Sequence, residues 1–125
     1  MIATGTDILH ISRMHASIER HGEAFLKRVF TSNEIAYCRC RAPELAVRFA
    51  AKEAASKMLG VGMRILSEHG IGWHEAEVVN DDKGKPILLL HGRAAELARA
   101  LGLSEWSLSL THERDVALAF VVGMS

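Results

Sequence analysis

Phe49-Ala50-Ala51-Lys52-Glu53-Ala54-Ala55-Ser56-Lys57 gathers two ammonium groups, a carboxylate and a hydroxyl in an alanine-rich run whose composition dictates helix. At about 3.6 residues per turn, Lys52 and Ser56 share one face, with Glu53 and Lys57 on the stripe beside it. Far upstream, Gly5-Thr6-Asp7 puts a lone acid among apolar neighbours, where a buried carboxylate is costly unless a cation or hydrogen bonds compensate. Asp7 and Glu53, with room for water and a substrate oxygen, suit Mg²⁺, which prefers oxygen ligands and bridges to phosphates. Lys52 and Lys57 are then the anion partners of that substrate. The plainer alternatives are an Asp7 that accepts backbone N–H bonds or faces water, and a solvent-facing Glu53–Lys57 pair worth ~0.3–0.5 kcal/mol.

Gly60-Val61-Gly62 reads either as a phosphate-contacting loop or as a plain helix terminator, since it lacks the spacing of the known phosphate-binding glycine motifs. Thr111-His112 falls where a strand meets a turn, and His112 is placed to act on a proton, to bind a phosphate, or simply to satisfy the turn. The seven histidines form no HExxH pattern, which argues against zinc. Cys38 and Cys40, one residue apart in a helical segment, fit neither a disulfide nor a CxxC redox pair and read as structural.

These side chains need a scaffold. The expected elements are a strand over Met1–Leu9, broken by a close backbone approach at Gly5, and a helix from an N-cap at Ser12 to a stop at Gly22. In that helix Met14, Ile18 and His21 point inward. A short apolar piece (Phe25, Leu26, Val29, Phe30) follows, and Thr31 with Glu34 forms a capping box opening another helix. The long helix runs from Pro43 to Gly60. Gly70–Trp73 is loop, and His74–Val79 and Ile87–Leu90 form a hairpin around the Asn80–Pro86 turn. Gly92–Gly102 is helical; Trp106–Leu110 and Val116–Val122 are strands, the latter apolar enough to be buried. Strand, helices, hairpin, helix, hairpin is α+β, not a doubly wound alternation.

At 125 residues and 13.7 kDa, with 49% hydrophobic and 24% charged residues, one globular domain is expected. Fifteen basic and fifteen acidic residues leave no global charge for nucleic acid or a membrane surface, and 6% aromatics offer little stacking surface for single strands. No apolar run suits a membrane span and no secretory start is present, so a cytoplasmic location is expected. Basic residues do gather early, at Arg13, Arg20, Lys27, Arg28, Arg39, Arg41 and Arg48, a local patch fit for an acidic partner. A non-catalytic module binding an acidic protein, and a small nucleotide- or nucleic-acid-binding protein, are the competing readings.

Four separated motifs, in order and suitably spaced, tip the balance. They are Gly5-Thr6-Asp7-Ile8 followed by Arg13; Arg48-Phe49-Ala50-Ala51-Lys52-Glu53-Ala54 with Ser56-Lys57 and Gly60; Asp82 with Gly84-Lys85-Pro86; and Ser109-Leu110-Thr111-His112. With Phe30-Thr31 and Glu34, they make the chain resemble, end to end, the small bacterial 4′-phosphopantetheinyl transferases of the holo-[acyl-carrier-protein] synthase family. The resemblance implies transfer of the phosphopantetheine arm of coenzyme A to a serine of apo acyl carrier protein, in fatty acid biosynthesis, with adenosine 3′,5′-bisphosphate leaving. It puts Mg²⁺ on Asp7 and Glu53, catalytic roles on Glu53 and Lys57, and coenzyme A on Arg48, Lys52, Ser56, Gly60, Thr111 and His112. Either Glu53 or a metal-bound water takes the serine proton. Arg13 and, more loosely, Arg20 match carrier-docking arginines, and a homotrimer with sites at subunit boundaries is implied. Ala3, Ser107 and Glu113 depart from the family pattern, and Glu113 sets a negative charge beside His112.

Overall fold

The computed structural model describes residues 1–65 and 68–125. In chain order the elements are β1 (Ile2–His10), α1 (Ile11–Val29), α2 (Ser32–Cys38), α3 (Ala42–Met58), a 3₁₀ turn (Trp73–Glu75), β2 (Ala76–Asn80), β3 (Pro86–Leu90), α4 (Gly92–Ala100), β4 (Glu105–Glu113) and β5 (Val116–Met124). This is the α+β class expected. β1, β5 and β4 form an antiparallel sheet in that order, and β2 and β3 pair as a separate antiparallel hairpin.

α3 lies across the inner face of the larger sheet because both surfaces are built from small residues. Ala46, Ala50, Ala51, Ala54 and Ala55 are fully buried, facing a sheet that offers Gly5, Ala117, Ala119 and Gly123. Small side chains on both sides let the backbones approach, and Gly5 is the closest case. A Cβ added there would sit 1.8 Å from the Ala54 carbonyl oxygen. The close backbone approach expected at Gly5 is therefore real and fixes β1 against α3, but it does not break the strand, which runs unbroken from Ile2 to His10. A second core, Leu9, Met14, Phe25, Leu26, Val29, Phe30 and Leu45, joins α1 to the N-terminal half of α3.

Several local expectations change. Ser12 is not an N-cap: His10 holds that position without a side-chain bond, and the Asp115 carboxylate, from the β4–β5 turn, accepts from the Ser12 amide and hydroxyl, each at 2.8 Å. Gly22 does not stop the helix. It takes φ 55°, ψ −135°, and α1 resumes on a new axis to Val29. The apolar piece at Phe25–Val29 is thus the second half of α1, while His21, expected inward, is exposed. β2 begins only at Ala76, because Trp73–Glu75 form the 3₁₀ turn. The Thr31–Glu34 capping box is present in both directions. Cys38 is buried and Cys40 exposed, both as free thiols. Among the described residues, no helix is long and apolar enough to cross a membrane.

Candidate functional site

The β1–α3 contact brings Asp7 to the outer flank of α3, where Glu53 and Lys57 lie one turn apart. Lys57 does not pair along its own helix with Glu53. Its ammonium crosses to β1, donating to Asp7 Oδ1 at 3.1 Å and to the Thr6 carbonyl at 3.0 Å. Asp7 is 19% exposed and Lys57 52%, so the pair opens to solvent on the lysine side. Burial raises the Glu53 pKa above the usual carboxylate value, the neighbouring Asp7 charge raises it further, and Lys57 opposes both. Two carboxylates are thus crowded against a single ammonium.

The companion face of the same helix turns inward. Lys52, expected among the anion partners, is fully buried, and its ammonium is spent on Glu34 Oε1 at 2.7 Å, the Ala76 carbonyl at 2.7 Å and the Trp73 carbonyl at 3.0 Å. Burial pulls its pKa below the usual lysine value, and Glu34 opposes that shift. Ser56 is equally buried and donates to the Glu53 carbonyl at 2.6 Å. Both groups are thus engaged within the chain. Glu34 completes the staple: Oε1 also accepts from the Thr31 amide and Oε2 from the Val78 amide, so one carboxylate ties α2, α3 and β2 together. Lys52→Met leaves that carboxylate buried without its cation and should cost about 3–5 kcal/mol, read as a lowered urea midpoint at unchanged slope. An unchanged midpoint would show that the pair holds nothing.

Gly60 follows the end of α3 with φ 78°, and its amide donates to the Lys57 carbonyl at 3.0 Å. The Val61 and Gly62 amides both return to the Ser56 carbonyl, at 3.2 and 3.3 Å. All three amides are thus engaged within the chain, the arrangement of a helix terminator.

A second group lies elsewhere. Arg48, Tyr37, Glu44, Asn80, Gly84, Pro86, Thr111 and His112 line a cleft of about 230 Å³. Arg48 is only 2% exposed; Nη1 donates to the Glu44 carbonyl and carboxylate at 3.0 and 3.2 Å, and Nη2 to Asn80 Oδ1 at 2.8 Å. His112, the penultimate residue of β4 before the β4–β5 turn, has Nε2 3.9 Å from the other Glu44 oxygen. Glu44, rather than Glu113, is the acidic group paired with it. Sequence reasoning missed Glu44, Tyr37 and Asn80: each reads locally as a helix or turn residue, and no spacing signal links them.

The two groups stand on opposite sides of α3. Positions 48 and 53 are about 140° apart around the helix axis. Asp7 pairs through Ala119 with Leu110, and His112 through Ala117 with Leu9, so β5 separates them by about 10 Å across the sheet. No hydrogen bond or ion pair joins the groups among the described residues. Arg13 and Arg20 are exposed on the first segment of α1, seven positions apart and so on one face.

A family model described as the 4′-phosphopantetheinyl transferase superfamily matches residues 3–121. The chain belongs to this superfamily. It is 48% identical, over 99% of each sequence, to the holo-[acyl-carrier-protein] synthase of Herpetosiphon aurantiacus, and 44% identical to that of Solibacter usitatus over 98% of this chain and 97% of the relative. Among solved structures, this phosphopantetheinyl transferase superimposes on the Helicobacter pylori holo-[acyl-carrier-protein] synthase in complex with coenzyme A with a TM-score of 0.85, at 29% identity, covering 99% of this chain and 100% of that one. For the Neisseria meningitidis synthase the TM-score is 0.86 at 32% identity, with each chain fully covered. The sheet and the helix packed across it thus belong to a transferase fold.

Proposed function

We propose that this protein is a holo-[acyl-carrier-protein] synthase that transfers 4′-phosphopantetheine from coenzyme A to a serine of apo acyl carrier protein. The observation that carries the reading is the meeting of Asp7 and Glu53, far apart in sequence, beside a half-exposed Lys57 in a chain of this superfamily. The serine oxygen, its proton passing to Glu53 or to water, forms a bond to the phosphorus bearing the pantetheine arm. The bond from that phosphorus to the adenosine-side phosphate breaks, and adenosine 3′,5′-bisphosphate leaves with the electron pair. Such a reaction asks the protein for positioning and charge neutralisation above all.

Two neighbouring carboxylates, the Asp7 charge raising the Glu53 pKa, with water access on one side, fit a hard divalent cation, and Asp7 and Glu53 would hold Mg²⁺. When bound, the ion supplies charge neutralisation at the diphosphate. Lys57 is free to leave Asp7 for a substrate phosphate, because an exposed ion pair binds it only weakly. The cleft of Arg48 and His112 receives the nucleotide end. Because it lies across the sheet from Asp7, a complete site draws on two copies of the chain. Ile2, Ile8, Phe120 and Met124, exposed on the outer face of the sheet, give those copies an apolar surface to bury, in keeping with a homotrimer. Arg13 and Arg20 face outward to receive an acidic carrier, a contact that sets association rate and register.

The test is direct. Incubated with coenzyme A and Mg²⁺, the protein should add one phosphopantetheine to apo carrier protein, read as a mass increase that a chelator abolishes and excess Mg²⁺ restores. A carrier of unchanged mass would overturn the transferase, and transfer that persists in chelator would overturn the metal.

A further inference from the structure

Tyr37, in the last turn of α2, touches the nucleotide cleft without belonging to any of the motifs. Its ring lies under two guanidinium groups, with Arg48 Cζ 4.7 Å and Arg41 Cζ 5.6 Å from the ring centroid. Arg41 is anchored to its own chain, donating to the Cys38 and Tyr37 carbonyls at 2.8 Å each. Arg48 differs. It is nine-tenths buried and more, it lines the cleft, and its Nε is buried with no acceptor among the described residues. A buried guanidinium with an unspent N–H is costly to hold in place, and the face of an aromatic ring is one of the few neutral surfaces that attracts it.

Glu44 shows what the held guanidinium is for. Its carboxylate sits between Arg48 Nη1 and His112 Nε2, at 3.2 and 3.9 Å, so in the free chain an anion already bridges these two groups. A ligand phosphate has the same chemistry and more charge. Of the phosphates of coenzyme A, the diphosphate belongs to the Asp7, Glu53 and Lys57 edge, which leaves the 3′-phosphomonoester for this cleft.

We propose that Tyr37 is a positioning residue: its ring fixes the Arg48 guanidinium at the cleft wall and so sets the preference for a donor carrying a 3′-phosphate. The inference rests on the transferase reading and deepens it. The experiment compares kcat/KM for coenzyme A and for 3′-dephospho-coenzyme A in the wild type, Tyr37→Phe and Tyr37→Leu. Tyr37 is 43% exposed, so both variants should fold. Tyr37→Leu should lower the preference for coenzyme A about five-fold, the size of a partly buried cation–π contact, through KM with kcat little changed. Tyr37→Phe, which keeps the ring, should retain the wild-type ratio. An unchanged ratio in Tyr37→Leu, or an equal fall in Tyr37→Phe, overturns the proposal. A wild type that uses both donors equally well also overturns it while leaving the transferase intact. Should no carrier be modified, the transferase reading fails. Binding of adenosine 3′,5′-bisphosphate against adenosine 5′-monophosphate by the same variants then decides the proposal by calorimetry, with the same loss expected for Tyr37→Leu alone.

Discussion

Asp7→Asn should lower kcat/KM for carrier modification by roughly 10³-fold while leaving the protein as stable as the wild type or slightly more so, and Glu53→Gln should do the same. The two halves of this expectation have one cause. Asp7 and Glu53 repel each other, and burial penalises Glu53 besides, so the native fold carries an electrostatic cost at this point. Neutralising either acid removes that cost. In Asp7→Asn what is lost in exchange is the Asp7–Lys57 ion pair, about half open to water on the lysine side and worth less than about 1 kcal/mol, while Glu53→Gln leaves that pair in place. A cluster that serves only the fold behaves oppositely, since breaking it lowers stability.

The double variant should be hardly slower than either single one, because in the proposed metal site the two acids act as a unit and their losses do not add. Carrier modification by mass spectrometry gives the rates, and urea unfolding gives the stability. Full activity in either single variant would remove that acid from the site. A large drop in stability would recast Asp7 and Glu53 as scaffold. Removal of the metal by chelator should then abolish wild-type activity to the level of the variants, tying the two observations to the same ion.

How much of this was legible in the residues depended on whether the interaction was local. The Thr31–Glu34 capping box is closed within four residues and forms as its pattern says. The strand at Gly5 and the helix around Lys52–Lys57 were equally readable, since composition and spacing carry them. The face of that helix was not. Alanine marks no side as interior, so a periodic stripe of Lys52 and Ser56 looks the same whether it faces water or the core. Its burial is decided by Glu34, 18 residues upstream, and by the Ala76 carbonyl, 24 downstream. Ser12 failed as a cap for the same reason, because Asp115 reaches the helix end from 103 residues away. Gly22 bends where a stop was expected because Phe25, Leu26 and Val29 still have a core to enter. Long-range pairing also hid the cleft of Arg48 and His112, whose walls come from α2, α3, the hairpin and β4.

Gly5→Ala should be the most damaging small substitution in the chain, destabilising it by at least about 3 kcal/mol and abolishing activity in whatever fraction still folds. The added methyl would lie 1.8 Å from the Ala54 carbonyl oxygen and 2.8 Å from the Met58 amide nitrogen. Those two atoms are the acceptor and donor positions of one i→i+4 backbone hydrogen bond of α3, so the methyl intrudes on the helix backbone itself. No side chain can yield to make room, and no truncation at Ala54 relieves the clash. Gly123 provides the contrast: a Cβ there meets Met58 Sδ at 2.8 Å, the far end of a flexible chain that can swing away. Gly123→Ala should therefore cost far less, although both glycines lie on the inner face of the same sheet. In Gly5→Ala the backbones of β1 and α3 must part by about 1 Å or more, a shift of the size that costs roughly 10²-fold in rate when it displaces reacting groups. Asp7 is two residues along that strand and Glu53 is next to Ala54, so the parting falls on the two acids directly. Urea unfolding of the two alanine variants, with carrier modification measured at equal folded concentration, separates the effects. A Gly5→Ala protein with wild-type stability and rate would mean that the strand and helix do not hold the acids together.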